Sequence, residues 1–297
     1  MEAASRLARR AATRLAELGT RDAPLLAAQL TCATLLLAPV GAWNVRPFAL
    51  VLAVAGMLVP GLAVSASFWT LLAVLTAFRV IADWPLADNH GYLLAIWCSA
   101  LAVSFSGARP RAILARNGRL LVGLAFALAT LQKVWIAPDY MDGTFFRWAL
   151  AVDGRFEDLG ALLGRGGADL ERTRAWLEAL PGEALADAAF VETRALRSAA
   201  TVLTWATVLL EGAVALLFLA PPALGLARAR DAALLLFCAG TYAVAPVAGF
   251  GWLLLAMGVA QSEGPRTRWL YLAAFALLVF HSEVPWLGLA VGGDGLK

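Results

Sequence analysis

The sequence predicts an all-α protein, a polytopic transmembrane bundle of about nine helices with a short helical segment outside the membrane. Hydrophobic residues make up 61% of its 297 residues, and the mean hydropathy is +0.74. Charged residues make up 15%, against about 25% in a typical soluble domain. A soluble core of this length could not bury so much apolar surface, whereas a bilayer can accommodate it.

The apolar runs give the individual helices. In chain order we predict them at 24–40, 47–59, 64–82, 91–107, 120–136, 199–220, 232–248, 250–261 and 269–284. Pro60-Gly61 divides one long apolar run and Gly249 divides another, because proline and glycine interrupt helices.

Three regions follow from this pattern. Residues 1–23 alternate arginine with leucine, which predicts an amphipathic helix on the cytoplasmic membrane surface; a transit peptide is the alternative. Residues 24–290 form the membrane domain. Within it, residues 137–198 are the long polar stretch, which we expect to be an external segment with short helices.

Arginine placement predicts the orientation. The N-terminus and the loops expected at 109–119, 228–230 and 266–268 are all arginine-rich, and nine spans place them on one side. Because positively charged loops remain in the cytoplasm, we expect a plasma (inner) membrane protein with a cytoplasmic N-terminus and an external C-terminus.

Motifs exclude several function classes. The spacing of cysteine and histidine suggests no metal site, and no metal is expected. There is no long basic tract of the kind that binds nucleic acid. Phosphate-binding and zinc-hydrolase signatures are also missing.

Ionisable residues within apolar helices are costly and are therefore functional candidates. Lys133 lies near the outer end of its helix, where burial would suit it to act as a base; a lysine that reaches the headgroups is the alternative. His90 lies at the start of the fourth predicted helix, at 91–107, where Asp88 or Asn89 is the expected N-cap. It could transfer protons, or it could be a solvated loop histidine.

Two further features are ambiguous. Arg79 and Asp83 are four residues apart, so an ion pair along the helix explains both without a function. Glu211 lies deep in its helix with Thr204 and Thr207 on the same face. Hydrogen bonds from these threonines would let it either join helices or serve a proton path.

These candidates fall at one end of the predicted bundle. We expect a single outward-facing polar pocket to collect Arg79, Asp83, His90, Lys133 and His281, although an interfacial position would produce the same pattern.

Two motifs carry a family resemblance. Asn89–Leu93 reads NHGYL and follows the broken helix pair around MLVPGL at 57–62; ATLQK at 129–133 precedes Asp142-Gly143. The order resembles the membrane domain of the vitamin K-dependent γ-glutamyl carboxylases and their bacterial relatives, the HTTM proteins. The helix from 205 to 219 also resembles that family, and the similarity covers about residues 25–285.

The resemblance implies a bacterial member without the large lumenal domain. In the carboxylases a lysine deprotonates reduced vitamin K, and a histidine lies at the hydroquinone site. Lys133 and His90 match these two catalytic positions, and a reduced, vitamin K-like quinone is the implied cofactor. The substrate-binding residues expected beside them are Arg79, Asp83, Asn89, Tyr92, Gln132 and Glu211.

Three functions are therefore open. The first is binding or oxidation of a quinol or similar lipophilic molecule, with carboxylase- or epoxidase-like activity. The second is a non-enzymatic accessory or scaffold protein, which would bind an envelope partner through the 137–198 segment. The third is a small-molecule transporter, to which interrupted helices at Pro60 and Gly249 would contribute.

Overall fold

The computed structural model describes residues 22–85, 88–156, 159, 194–245 and 247–284, and every element within them is helical. The main helices are α1 Ala23–Leu37, α2 Arg46–Leu58, α3 Pro60–Ala63, α4 Ala66–Ala82, α5 Asn89–Ser106, α6 Pro110–Leu131, α7 Pro138–Met141, α8 Thr144–Val152, α9 Arg194–Leu219, α10 Ala227–Val244, α11 Ala248–Gln261 and α12 Pro265–Glu283. The all-α prediction is confirmed for these residues.

A helix is present at each of the nine predicted positions in the described chain, but several bounds differ. The arginines expected in loops at 111–119 and 228–230 belong to helices instead. Helix α6 begins early, at Pro110, because proline is favoured at the first helical position. Helix α10 begins at Ala227, before Arg228 and Arg230. The break expected at Gly249 falls at 245–247 instead. The helix pair at Pro60 is interrupted as predicted, with Val59 extended.

The predictions for two regions fall outside the described residues. The amphipathic helix expected at 1–23 lies almost wholly before residue 22. Short helices are expected throughout the external segment at 137–198, of which residues 157–158 and 160–193 lie outside the described residues. The described part of that segment contains α7 and α8.

Helix α11 is the centre of the bundle. Every residue from Gly251 to Ser262 is buried, and the helix packs on α1, α6 and α12. A helix that is apolar on all faces is typical of a fully surrounded position. A second, smaller cluster around Tyr140, Phe146 and Leu150 packs α7 and α8 against α9.

The outward surface of the bundle is also apolar. Large side chains that are mostly exposed occur on α2, α4, α6, α9, α10 and α12. Among the described residues, Pro110–Ile136 and Arg194–Leu219 have the length and composition to cross a membrane, and four shorter helices are similarly apolar. Contiguous apolar surface of this kind marks contact with lipid or another apolar partner.

Chain direction gives the bundle two chemically different ends. Helix α5 runs from Asn89 to Ser106, and α6 begins at Pro110 and returns alongside it to Leu131, just before Lys133. The end that carries His90 and Lys133 is called the Lys133 end below. The opposite end, where Arg109, Arg119 and Arg230 line one cavity, is called the arginine end.

Candidate functional site

Lys133 lies in a widened helical turn. Residues Gln132–Ile136 form a π-helical continuation of α6, which adds one residue to the turn. Val134, Trp135 and Ile136 are exposed on this turn, while Lys133 is turned inward. Single π turns within α-helices occur frequently at functional sites, because they re-aim one side chain.

The partner of Lys133 is Glu211 on α9. The Lys133 Nζ lies 2.8 Å from one carboxylate oxygen and 2.6 Å from the other, so the ammonium donates to both. Glu211 is only 7% exposed, and the Lys133 side chain is 20% exposed. The two residues are 78 positions apart, and the ion pair therefore joins two helices that sequence spacing alone could not connect.

Tyr140 completes this cluster. Its ring centroid lies 5.4 Å from the Lys133 Nζ, within the distance at which an ammonium is attracted to an aromatic face. A hydrogen bond joins the Tyr140 and Thr207 side chains, and burial raises the pKa of the phenol. Tyr140 therefore stays protonated at neutral pH and presents no competing negative charge to Lys133.

The expected threonine bonds to Glu211 are not formed. The Thr204 hydroxyl donates to the Ala200 carbonyl at 2.9 Å and also approaches the Tyr140 carbonyl at 3.5 Å. Thr207 bonds Tyr140. The threonines hold α7 against α9, because the nearby lysine is a stronger partner for the carboxylate than a hydroxyl is.

His90 lies in a separate place at the same end. The Asp88 carboxylate caps α5 by accepting the His90 backbone N–H at 3.1 Å, as predicted, and its second oxygen lies 3.1 Å from the imidazole Nδ1. The ring stacks on Phe250 with centroids 4.4 Å apart. His90, Arg79 and Asp83 line a cavity of about 450 Å³, and Arg79 and Asp83 form the expected ion pair.

The single shared pocket is therefore wrong in part. Arg79, Asp83 and His90 do line one cavity, but Lys133 and His281 are not among its lining residues. Lys133 is held by Glu211. His281 lines an apolar cavity of about 230 Å³ on α12, together with Tyr242 of α10, because α12 packs on α10 and α11.

The remaining predicted binding residues are less central. Asn89 and Gln132 are exposed and Tyr92 is half-buried. In the described part of the chain, no group of three or more histidine, cysteine or carboxylate side chains is placed to hold a metal ion.

Two features escaped the sequence reasoning. One is the pairing of Lys133 with Glu211. The sequence contains a signal for it, because the two candidate residues carry opposite charges in separate apolar helices. The other is the cavity at the arginine end. Its arginines had been treated only as markers of orientation.

The Lys133–Glu211 pair has the parts of a proton-transfer site. A carboxylate can accept a proton, an adjacent ammonium can balance the negative charge that develops on a substrate oxygen, and the low dielectric around them strengthens both effects.

A scan with family models found no match to this chain, and searches of curated proteins and of solved structures also found none.

Proposed function

We propose that this chain is a polytopic integral membrane protein of the plasma (inner) membrane that binds a quinol-type lipophilic substrate and removes its hydroxyl proton at the Lys133–Glu211 pair. The apolar outer surface supports the membrane assignment, together with two helices long enough to span. The N-terminus is assigned to the cytoplasm because the arginine end would face that side.

The buried ion pair is the observation that carries the proposal. Removing a lysine and a glutamate from water costs several kcal/mol per ion, and well-packed apolar residues of the same volume are often at least as stable. Packing alone therefore does not explain why α6 and α9 meet through these two residues. Ionisable pairs inside a membrane typically serve proton or ligand chemistry.

In the proposed proton transfer, the two residues have different roles. Glu211 accepts the hydroxyl proton of the bound quinol and becomes a neutral carboxylic acid. Lys133 keeps its proton, and its ammonium balances the charge left on the ring oxygen. The family resemblance gives the role of base to the lysine. In the bidentate contact, however, Lys133 donates to both oxygens as an ammonium that already carries its proton, which leaves Glu211 as the proton acceptor of the pair.

The site also fits an apolar ring. The Lys133 side chain is 20% exposed, and the Tyr140 ring centroid lies 5.4 Å from its Nζ. A hydroxyl-bearing ring in the membrane can therefore approach the ammonium through this opening and pack beside Tyr140.

We also assign binding of a quinol ring to the His90 cavity. Because Lys133 does not line this cavity, the His90 variant below tests it separately from the ion pair. Its volume of about 450 Å³ lies within the usual range for ligand sites, about 300–1,000 Å³. The His90–Phe250 stack supplies an aromatic surface against which a ring can pack.

The test combines identification and turnover. The full-length protein is purified in mild detergent, and co-purifying lipophilic molecules are identified by mass spectrometry. Oxidation of a short-chain reduced naphthoquinone to the quinone, with dissolved oxygen as the two-electron acceptor that is reduced to hydrogen peroxide, is then followed by absorbance. Glu211→Gln and Lys133→Met should each lose turnover while remaining folded, and His90→Ala should weaken binding of the probe.

Asp142→Asn is the matched control, because Asp142 is an exposed carboxylate at the same end and should leave turnover unchanged. Wild-type turnover in a folded Lys133→Met protein would refute the proton-transfer site. A stably co-purified protein, with no bound quinone, would instead favour the accessory or scaffold function.

A further inference from the structure

A large cavity lies at the arginine end, far along α6 from Lys133. It encloses about 1030 Å³ between the start of α6, the turn from α9 to α10, and the end of α11. Five arginines and two carboxylates line it. The arginines are Arg109, Arg111, Arg116, Arg119 and Arg230.

This positive charge is poorly neutralised within the described chain. Arg230 approaches Glu263 at 3.9 Å, but Glu263 is 76% exposed on its side chain, so the contact is weak. No other ion pair joins the cavity's arginines to a described carboxylate. Asp231 attracts Arg230 electrostatically but makes no ion pair with it, and its carboxylate accepts a hydrogen bond from Tyr271 at 2.8 Å and another from Gln261.

Three buried polar atoms in the wall have no hydrogen-bond partner among the described residues. They are the Nε of Arg230, the Nε of Arg119 and the Oε1 of Gln261. Arg230 is 7% exposed and Gln261 is 4% exposed, and both line the cavity. A buried donor or acceptor without a partner is costly, so such atoms indicate a ligand that satisfies them.

The unpartnered atoms define the chemistry of that ligand. Two guanidinium N–H donors require an anion with several acceptor oxygens, and arginine binds phosphate with particular geometric fit. The first backbone N–H groups of α6 also face this end without a side-chain cap, which favours an anion. The Gln261 carbonyl oxygen requires a donor, such as a hydroxyl group close to the phosphate.

We propose that this cavity binds the phosphate of a hydroxyl-bearing anionic molecule: a glycerophospholipid headgroup or a soluble organic phosphate. The surroundings favour the lipid. The turn from α9 to α10 lines the cavity, and the neighbouring Leu216 and Leu224 are 75% and 61% exposed, which gives acyl chains an apolar surface to follow. The site is independent of the quinol chemistry proposed for the other end.

The experiment uses the full chain, purified and delipidated in an uncharged detergent. Dioleoylphosphatidylglycerol, dioleoylphosphatidylcholine and inorganic phosphate are titrated separately, and binding is measured by native mass spectrometry and by the shift in thermal unfolding. We expect one phosphatidylglycerol to bind, with at least tenfold preference over phosphatidylcholine. Competition by millimolar inorganic phosphate would support the soluble source of the same phosphate chemistry.

Arg119→Gln/Arg230→Gln should weaken phosphatidylglycerol binding at least tenfold. Arg228→Gln/Arg266→Gln is the matched control, because it also removes two positive charges, and both arginines are exposed and do not line the cavity. If the double variant fails to fold, Arg116→Gln tests the exposed rim. Equal affinity in the cavity variants and the control, or no preference over phosphatidylcholine, would overturn the proposal.

Discussion

Replacing Lys133 with methionine should lower the free energy of unfolding by about 3 kcal/mol. The change shortens the side chain by one heavy atom, keeps its apolar stem and leaves the Glu211 carboxylate, 7% exposed, without its cation. Stranding one member of a buried pair typically costs about 3–5 kcal/mol, and the 20% exposure of the lysine side chain favours the lower part of that range.

The reciprocal change, Glu211→Leu, should cost less, about 1–2 kcal/mol, because the flexible lysine stem can extend its ammonium toward the headgroups. The double variant Lys133→Met/Glu211→Leu should then return to within about 1 kcal/mol of the wild type, since no uncompensated charge remains. The cycle therefore predicts strong coupling between residues on α6 and α9.

Unfolding in mixed micelles, followed by circular dichroism across a titration of denaturing detergent, measures all four proteins on one scale. The reasoning fails if Lys133→Met costs less than about 1 kcal/mol, or if the double variant is no more stable than Lys133→Met alone. Either result would mean that the two side chains do not interact in the folded bundle.

Two smaller predictions use the same unfolding assay. Asp88→Ala should cost about 0.5–2 kcal/mol because it removes the cap that accepts the His90 N–H, while Asp88→Asn should retain most of the stability; equal losses in both would contradict the capping role. Gly258→Ala should cost about 1–3 kcal/mol because its methyl group would meet the Tyr271 ring, whereas Gly240→Ala, with open space around it, should gain about 0.5–1 kcal/mol. Similar effects at both glycines would refute the packing argument.

The helices were predictable because one signal dominates this sequence. Apolar runs separated by prolines, glycines and arginines gave the positions of the main helices, and the local cap at Asp88 and the ion pair of Arg79 with Asp83 followed from spacing of two to four residues. Such features depend only on the local chain, so no tertiary information was required.

The arrangement of the site was less predictable, because it depends on which helix faces which. The contact of Lys133 with Glu211 requires α6 to pack on α9, and the π turn at Gln132–Ile136 then sets the direction of the lysine. Apolar helices without an amphipathic stripe give little indication of their inward face. The same loss of information separated Lys133 from the His90 cavity, although the sequence placed both residues at the same end of the bundle.

The spacing of charges along α6 also has a consequence for the surrounding bilayer. Arg119 and Lys133 are fourteen residues apart, which is about 21 Å of helix, whereas the hydrocarbon layer is about 30 Å thick. With α6 spanning the bilayer as proposed, both cations reach the headgroup regions only if their side chains extend several ångströms along the membrane normal. Because Lys133 is held inward by Glu211, the proposed placement implies that the lipid beside α6 thins, or that water enters through the arginine-lined cavity to the depth of Arg119. Either response would give this flank of the protein a lower hydrophobic thickness than the surrounding bilayer.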